Sequence, residues 1–186
     1  MVATLRGAAR DRGGAVTLGD AREASPTGVN VRTRVHEYGG GEYTIWRDRI
    51  FFVDDADGSI QAGRIAGPTI ALTPPGSRYA DLVVARDGQW LFAIEERPRE
   101  GLEPVNRLVA IRLRDSATPA GIEAANAPIV VASGHDFYAS PVIAPTSDRV
   151  AFLAWDHPNM PWNETSLEIL EWGSEGPRGQ PRRRAG

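Results

Sequence analysis

The chain has no cysteine and no lysine, and its apolar residues come in short runs. Without cysteine there is no disulfide scaffold, no thiolate metal site and no thiol nucleophile. Without lysine there is no Walker-type phosphate loop, which needs that side chain after its glycines. No stretch reaches the roughly 20 apolar residues of a membrane-spanning helix. The opening Met1-Val-Ala-Thr-Leu-Arg-Gly-Ala-Ala-Arg10 meets charge too early to hold a signal core. The expectation is a cytoplasmic protein without membrane contact. Histidine is also scarce, and His36, His135 and His157 lie far apart in sequence. Neither a metal nor a cofactor is therefore expected. The net charge of −3 argues against a nucleic-acid partner.

What the chain does have is turn chemistry. Its 186 residues include 20 Gly and 14 Pro, which favours many short strands over long helices. With 41% apolar residues it is a globular sequence, and its length fits one domain on the usual scale of roughly 100–200 residues.

Self-comparison sharpens this picture. Aligned without gaps from Tyr38, Tyr79 and Tyr138, three segments bring Ile50, Leu91 and Val150 into one column. The columns that follow are Phe51, Phe92, Ala151, then Phe52, Ala93, Phe152, then Val53, Ile94, Leu153. A polar turn precedes each run. Asp54-Asp55, Glu95-Glu96 and Trp155-Asp156 follow it. Third strands are predicted over 59–65, 107–113 and 166–171, and fourth strands over 69–72 and 128–131. Repeats of short antiparallel strands at spacings of 41 and 59 residues are the signature of propeller blades. The predicted fold is all-β: a partial β-propeller of about three four-stranded antiparallel blades, with the ring not closed. Residues 97–104 and 115–127 are expected as surface insertions. Residues 1–28 are read as a partial first blade with a loose N-terminus, 29–172 as the incomplete propeller, and 173–186 as a disordered Gly/Pro/Arg tail. Three blades should leave two apolar blade faces uncovered, and self-association through open blade edges is expected.

Several motif fragments fail on inspection. Trp172-Gly-Ser-Glu-Gly176 has Trp where a serine-hydrolase elbow needs its first Gly. Ser133, His135 and Asp136 are the right types for a triad, but an extended segment points neighbours in alternate directions. His36-Glu37 lacks the second histidine of a helical zinc motif, where Gly40 stands. Asp54-Asp-Ala-Asp-Gly58 lacks the closing Glu of a calcium loop and reads as a turn. No catalytic residue is expected in this chain.

Polar and aromatic clusters remain at the blade openings. They are His36, Glu37 and Tyr38; Tyr79 and Asp81; His135, Asp136 and Tyr138. The first strand of a blade lies nearest the central channel, so these residues are candidates for a channel mouth or substrate path. The alternative is packing between blades, with the Tyr hydroxyls and His rings satisfied there.

The same segments carry a resemblance. Asn30-Val-Arg-Thr-Arg-Val-His-Glu-Tyr-Gly-Gly-Gly41, Arg78-Tyr-Ala-Asp81, Glu103-Pro-Val-Asn106, Ser133-Gly-His-Asp-Phe-Tyr-Ala-Ser-Pro141 and Ala154-Trp-Asp-His-Pro-Asn-Met-Pro-Trp162 resemble the propeller domain of prolyl-oligopeptidase-type serine peptidases. The similarity points to the acylaminoacyl-peptidase or dipeptidyl-aminopeptidase-like branch, over about Val29 to Leu170. It implies a propeller of about seven blades over a C-terminal α/β-hydrolase domain that holds Ser, Asp and His. It also implies hydrolysis of short or N-acylated peptides, with the propeller restricting access. The hydrolase domain has no counterpart in this sequence, so the chain is expected to be a non-catalytic, truncated portion. A free-standing propeller-like binding module and a non-functional gene fragment are the other readings.

Overall fold

A computed structural model of the chain describes residues 4–10 and 16–185. Every regular element among them is a strand. β1 (Thr4–Arg10) and β2 (Val16–Glu23) form an antiparallel pair. The first blade is β3 (Tyr43–Trp46), β4 (Arg49–Val53), β5 (Ile60–Arg64) and β6 (Thr69–Ala71), in that spatial order. The second is β7 (Arg78–Val84), β8 (Trp90–Arg99) and β9 (Leu102–Asp115). β10 (Ile122–Ala124) pairs with the C-terminal end of β9 and β11 (Ile129–Ala132) with its middle, and the two share the fourth-strand position. The third blade is β12 (Phe137–Ile143), β13 (Arg149–Trp155), β14 (Ser166–Gly173) and β15 (Gly176–Ala185). Three meandering sheets with no closed ring are what the repeat pattern predicts.

Strand alternation builds the stack. Along β8 and β9, Trp90, Phe92, Ile94, Leu108 and Ala110 face blade three, where they meet Val150, Phe152, Ala154, Leu170 and Trp172. The intervening Leu91, Ala93, Val109 and Ile111 face blade one and meet Phe51, Val53, Ile60 and Ala62. Both faces of blade two are thus buried, which is why residues 90–94 read as an unbroken apolar run. Burying each large side chain of this kind contributes about 1.5–3 kcal/mol.

Four expectations need correction. Residues 176–185 are not a disordered tail, because they form β15 on the outer edge of blade three. Pairing there uses backbone groups, so solvated Arg182 and Arg183 can sit opposite Ile169 and Glu168. Residues 97–104 are not a free loop, because β8 and β9 run on as a paired hairpin through Arg99 and Leu102. The segment 4–10, read as part of a loose N-terminus, is strand β1; residues 1–3 and 11–15 of that region lie outside the described residues.

The blade faces also depart from the expectation of two uncovered ones. The far side of blade one is covered: Ala24 and Val31 close over Ile50 and Phe52, all essentially inaccessible to solvent. Only blade three keeps an open face among the described residues. Val142, Ala151 and Ile169 form one cross-strand row on it, and Ala139, Leu153 and Leu167 form the next. None of these six is fully buried.

The edges are better protected than the face. β6 has three residues, and β15 carries Pro177, Pro181 and four arginines, devices that discourage edge-to-edge pairing. No helix in the described residues is long and apolar enough to cross a membrane.

Candidate functional site

In each blade the connection between the second and third strands and the lead-in to the first strand lie at the same end. All eight candidate residues fall there, on 36–38, 79–81 and 135–138. They do not share one environment. Tyr79 and Tyr138 are 2% and 1% exposed, whereas Tyr38 is 72% exposed.

The cause is a difference in turn length. Trp46 pairs with Arg49 across a two-residue turn, while Val84–Leu91 and Ile143–Val150 close longer loops. Tyr79 and Tyr138 each lie five residues before Val84 and Ile143, the partners of Leu91 and Val150. The same count back from Ile45, the partner of Ile50, reaches Gly40 and not Tyr38.

The segment before β3 is held in a demanding conformation. His36 and Glu37 both have positive φ, +55° and +66°, a region that costs energy outside glycine. The His36 amide donates to the Glu96 carboxylate at 2.8 Å. Arg78 donates to Glu96 at 3.0 Å and to Glu37 at 2.9 Å. The His36 ring stands edge-on to Phe137 and Trp155, at 5.3 and 5.7 Å. Burial pushes its pKa down, against the pull of Glu96, Asp81 and the Asn106 side chain, so the ring is held neutral.

Midway along β8 stand two acids with separate partners. Glu95 and Glu96 are 4% and 3% exposed. Successive strand side chains point opposite ways, so Glu96 reaches His36 and Arg78 while Glu95 turns to Ser77 and Arg107. Ser77 donates to Glu95 at 2.9 Å, and Arg107 donates through two nitrogens, Nε at 3.0 Å and a still closer Nη2. These carboxylates were not singled out as site residues. Their signal was the acidic pair after the apolar run in two of the three repeats.

Asp81 links blades. Its carboxylate accepts the Ser140 amide at 2.7 Å, and the next amide, Leu82, donates to the Gly41 carbonyl at 3.1 Å. Asp81 and Ser140 both have φ of +53° and sit where the pairing register of β7 and β12 shifts, at equivalent β-bulges. The lead-in to β3 and the first strands of blades two and three are therefore tied together at this point.

His135 does not approach a triad. Its Nδ1 meets Asp156 at 2.7 Å and its Nε2 meets Glu168 at 3.1 Å. The Tyr138 hydroxyl accepts the His135 amide at 3.0 Å, and burial above all pushes the phenol pKa up to about 12. Asp136 accepts both the amide and Nδ1 of His157, at 3.0 Å each. Asp156, His157 and Glu168 were missed because their contacts depend on strand register. Among the described residues no group of three or more His, Asp or Glu side chains could hold a metal ion. A cavity of about 360 Å³ opens beside the lead-in, with Arg32, Arg34 and Arg78 on its wall opposite Asp55 and Asp57.

No family model and no curated protein matches the chain. Solved structures do. A puromycin-hydrolyzing peptidase of Mycobacterium tuberculosis aligns with 97% of this chain at 27% identity and a TM-score of 0.72. A puromycin hydrolase, solved as an S511A mutant complexed with PGG, aligns with 96% at 25% identity and 0.74. The chain is similar to a propeller segment of these prolyl-oligopeptidase-family peptidases. The segment spans 30% of the length of each of these two peptidases. A nidogen/laminin complex structure, 11% identical with a TM-score of 0.56, shares the fold alone.

The loop-bearing end of the propeller segment also carries exposed apolar side chains. Tyr38, Leu102, Met160 and Trp162 project from its connections and hairpin tips, Trp162 at 77% exposure. Among the described residues the turns at the opposite end expose no large apolar side chain.

Proposed function

We propose that the chain is the substrate-gating propeller portion of a cytoplasmic peptidase of the acylaminoacyl-peptidase-like branch, acting on short or N-acylated peptides and not catalytic by itself. Its loop end docks against an α/β-hydrolase domain that supplies the nucleophile, acid and base. The carrying observation is that the resembling motifs and the exposed Tyr38, Leu102, Met160 and Trp162 share one end of the blades. Apolar groups exposed together in this way mark an interaction surface. The Glu95–Arg107 and Glu96–Arg78 pairs, with their carboxylates buried, hold that surface in shape beneath it.

A chimera tests this reading. The segment replaces the aligned part of the Mycobacterium tuberculosis peptidase. Hydrolysis of puromycin and of acyl-aminoacyl chromogenic peptides is then followed for substrates of increasing length. The chain alone should give no turnover. The chimera should cleave short substrates and reject long ones, and Tyr38→Ser with Trp162→Ser should weaken that discrimination. Turnover by the chain alone would overturn the non-catalytic assignment. Discrimination unchanged by the double substitution would overturn the docking surface.

The open face of blade three is the proposed route of self-association for the isolated chain. Leu153→Asp places a charge in the centre of the apolar rows and is expected to shift sedimentation toward monomer. A chain that is monomeric before the substitution contradicts this.

A further inference from the structure

β12 begins directly after His135-Asp136, and β13 ends directly before Asp156-His157. Phe137 pairs with Trp155, so the two dipeptides face each other across the strand ends. They pair crosswise. His135 Nδ1 meets Asp156 at 2.7 Å, and His157 Nδ1 meets Asp136 at 3.0 Å. The backbone repeats the pattern: the Asp136 amide donates to Asp156 at 2.7 Å, and the His157 amide donates to Asp136 at 3.0 Å. The second ring nitrogen of His135 reaches Glu168 of β14 at 3.1 Å. Both ring nitrogens of His135 thus face carboxylate oxygens. Only the imidazolium form donates from both nitrogens, since the neutral ring turns one lone pair toward an acid.

We propose that this quartet is a proton-operated latch: His135 as imidazolium fastens the 156–165 segment to β12 and β14, and loss of its proton releases that segment.

The surroundings favour this assignment. Asp156 faces His135 from the end of β13, Glu168 from β14 and Tyr138 from β12, with the Asp136–His157 pair alongside. The other residues around the cavity at His135, Val130 to Ser133 and Pro177, Gly179, Gln180 and Pro181, bring no charge. Three carboxylates therefore meet two imidazoles, and a proton on each nitrogen of His135 is what keeps Asp156 and Glu168 together. Partial burial opposes the charge on His135, but the bonds and charges of Asp156 and Glu168 prevail and raise its pKa above the ordinary value. Asp156 moves down, because the Asp136 amide and His135 outweigh its own desolvation.

The sign follows. A raised histidine stabilises the folded form fully below its unfolded pKa of about 6.5, and that contribution is lost as pH rises through the raised value. The lowered Asp156 contributes above its unfolded pKa of about 3.9 and fails only in stronger acid. The latch is closed in the mildly acidic range and opens on the alkaline side. His36, held neutral by burial, carries the opposite sign, because its contribution is lost as pH falls.

The test is amide hydrogen exchange on the full chain from pH 5.5 to 9, corrected for intrinsic exchange rates. The His157 and Asp136 amides report the latch, and amides of β8 serve as a reference. Protection of the two latch amides should drop on the order of tenfold per pH unit above the raised value, the limit for release of one proton. His135→Gln should hold the segment at the released level at every pH, with the β8 amides unchanged. Glu168→Gln should keep the transition and move it to lower pH. Constant protection across the range, or an alkaline transition that survives in His135→Gln, overturns the latch. A release on acidification that disappears in His36→Gln assigns the response to His36 and overturns it too. The outcome does not depend on whether the loop end docks a hydrolase domain.

Discussion

Gly41→Ala is expected to destabilise the chain by about 2–5 kcal/mol, which in a domain of about 5–15 kcal/mol decides between folded and unfolded. Two costs add. Gly41 has φ of +61°, where a Cβ meets its own backbone. That Cβ would also stand 2.6 Å from both the Cα and the amide nitrogen of Asp81. These are main-chain atoms of β7 at its bulge, fixed on one side by the Leu82–Gly41 hydrogen bond and on the other by the Asp81–Ser140 bond. A flexible side chain could swing away, but this backbone cannot move without disturbing the lead-in to β3 and the first strands of blades two and three. Gly28→Ala separates the two costs: φ there is +83° and nothing lies within 4 Å of the added Cβ. It should show the conformational cost alone, about 1–2 kcal/mol. Urea titration of both variants checks the pair, and equal midpoints would refute the close-approach argument.

Removing the Arg107 side chain should cost a comparable amount, about 3–5 kcal/mol, because Arg107→Ala abandons a buried carboxylate. Glu95 keeps only the Ser77 hydroxyl as a side-chain partner once the two guanidinium nitrogens are gone. The loss does not measure what the ion pair adds to stability. Bringing both charges out of water offsets much of their attraction, so Glu95→Met with Arg107→Met should recover most of it. An exposed pair behaves differently. Arg64 and Asp48 are 2.6 Å apart with both side chains about 60% exposed, and Arg64→Ala should change stability by no more than about 1 kcal/mol. Thermal melts of the three variants make the comparison. A small loss in Arg107→Ala would show that water reaches Glu95 when the arginine is removed.

The blades were legible in the sequence because two-sided burial writes a continuous apolar run, as at Leu91-Phe92-Ala93-Ile94, and turns write Gly and Asp beside it. β15 was not, since an edge strand needs backbone partners and no apolar side chains, and Pro177, Arg178 and Arg182 look like a tail. The tyrosine column misled by two residues in the first repeat, because an ungapped alignment carried the shorter Arg47-Asp48 turn as if it matched the longer ones. Glu95-Glu96 was visible as an acidic pair, but its burial depends on Arg78 and Arg107, one before β8 and one after it. The crosswise His135-Asp136 and Asp156-His157 pairing could not be read at all. Nothing in either dipeptide reveals that Phe137 stands opposite Trp155.

The segment around Ala24 and Val31 seals blade one, while the rows of Val142, Leu153 and Ile169 on blade three stay uncovered. The stack therefore has a direction. On a ribosome the sealed side emerges first and can settle before the rest is made, since domains are synthesised and folded from the N-terminal end. The uncovered rows of blade three come last and leave an open sheet surface. The order of synthesis thus runs from the covered end of the stack to the open one.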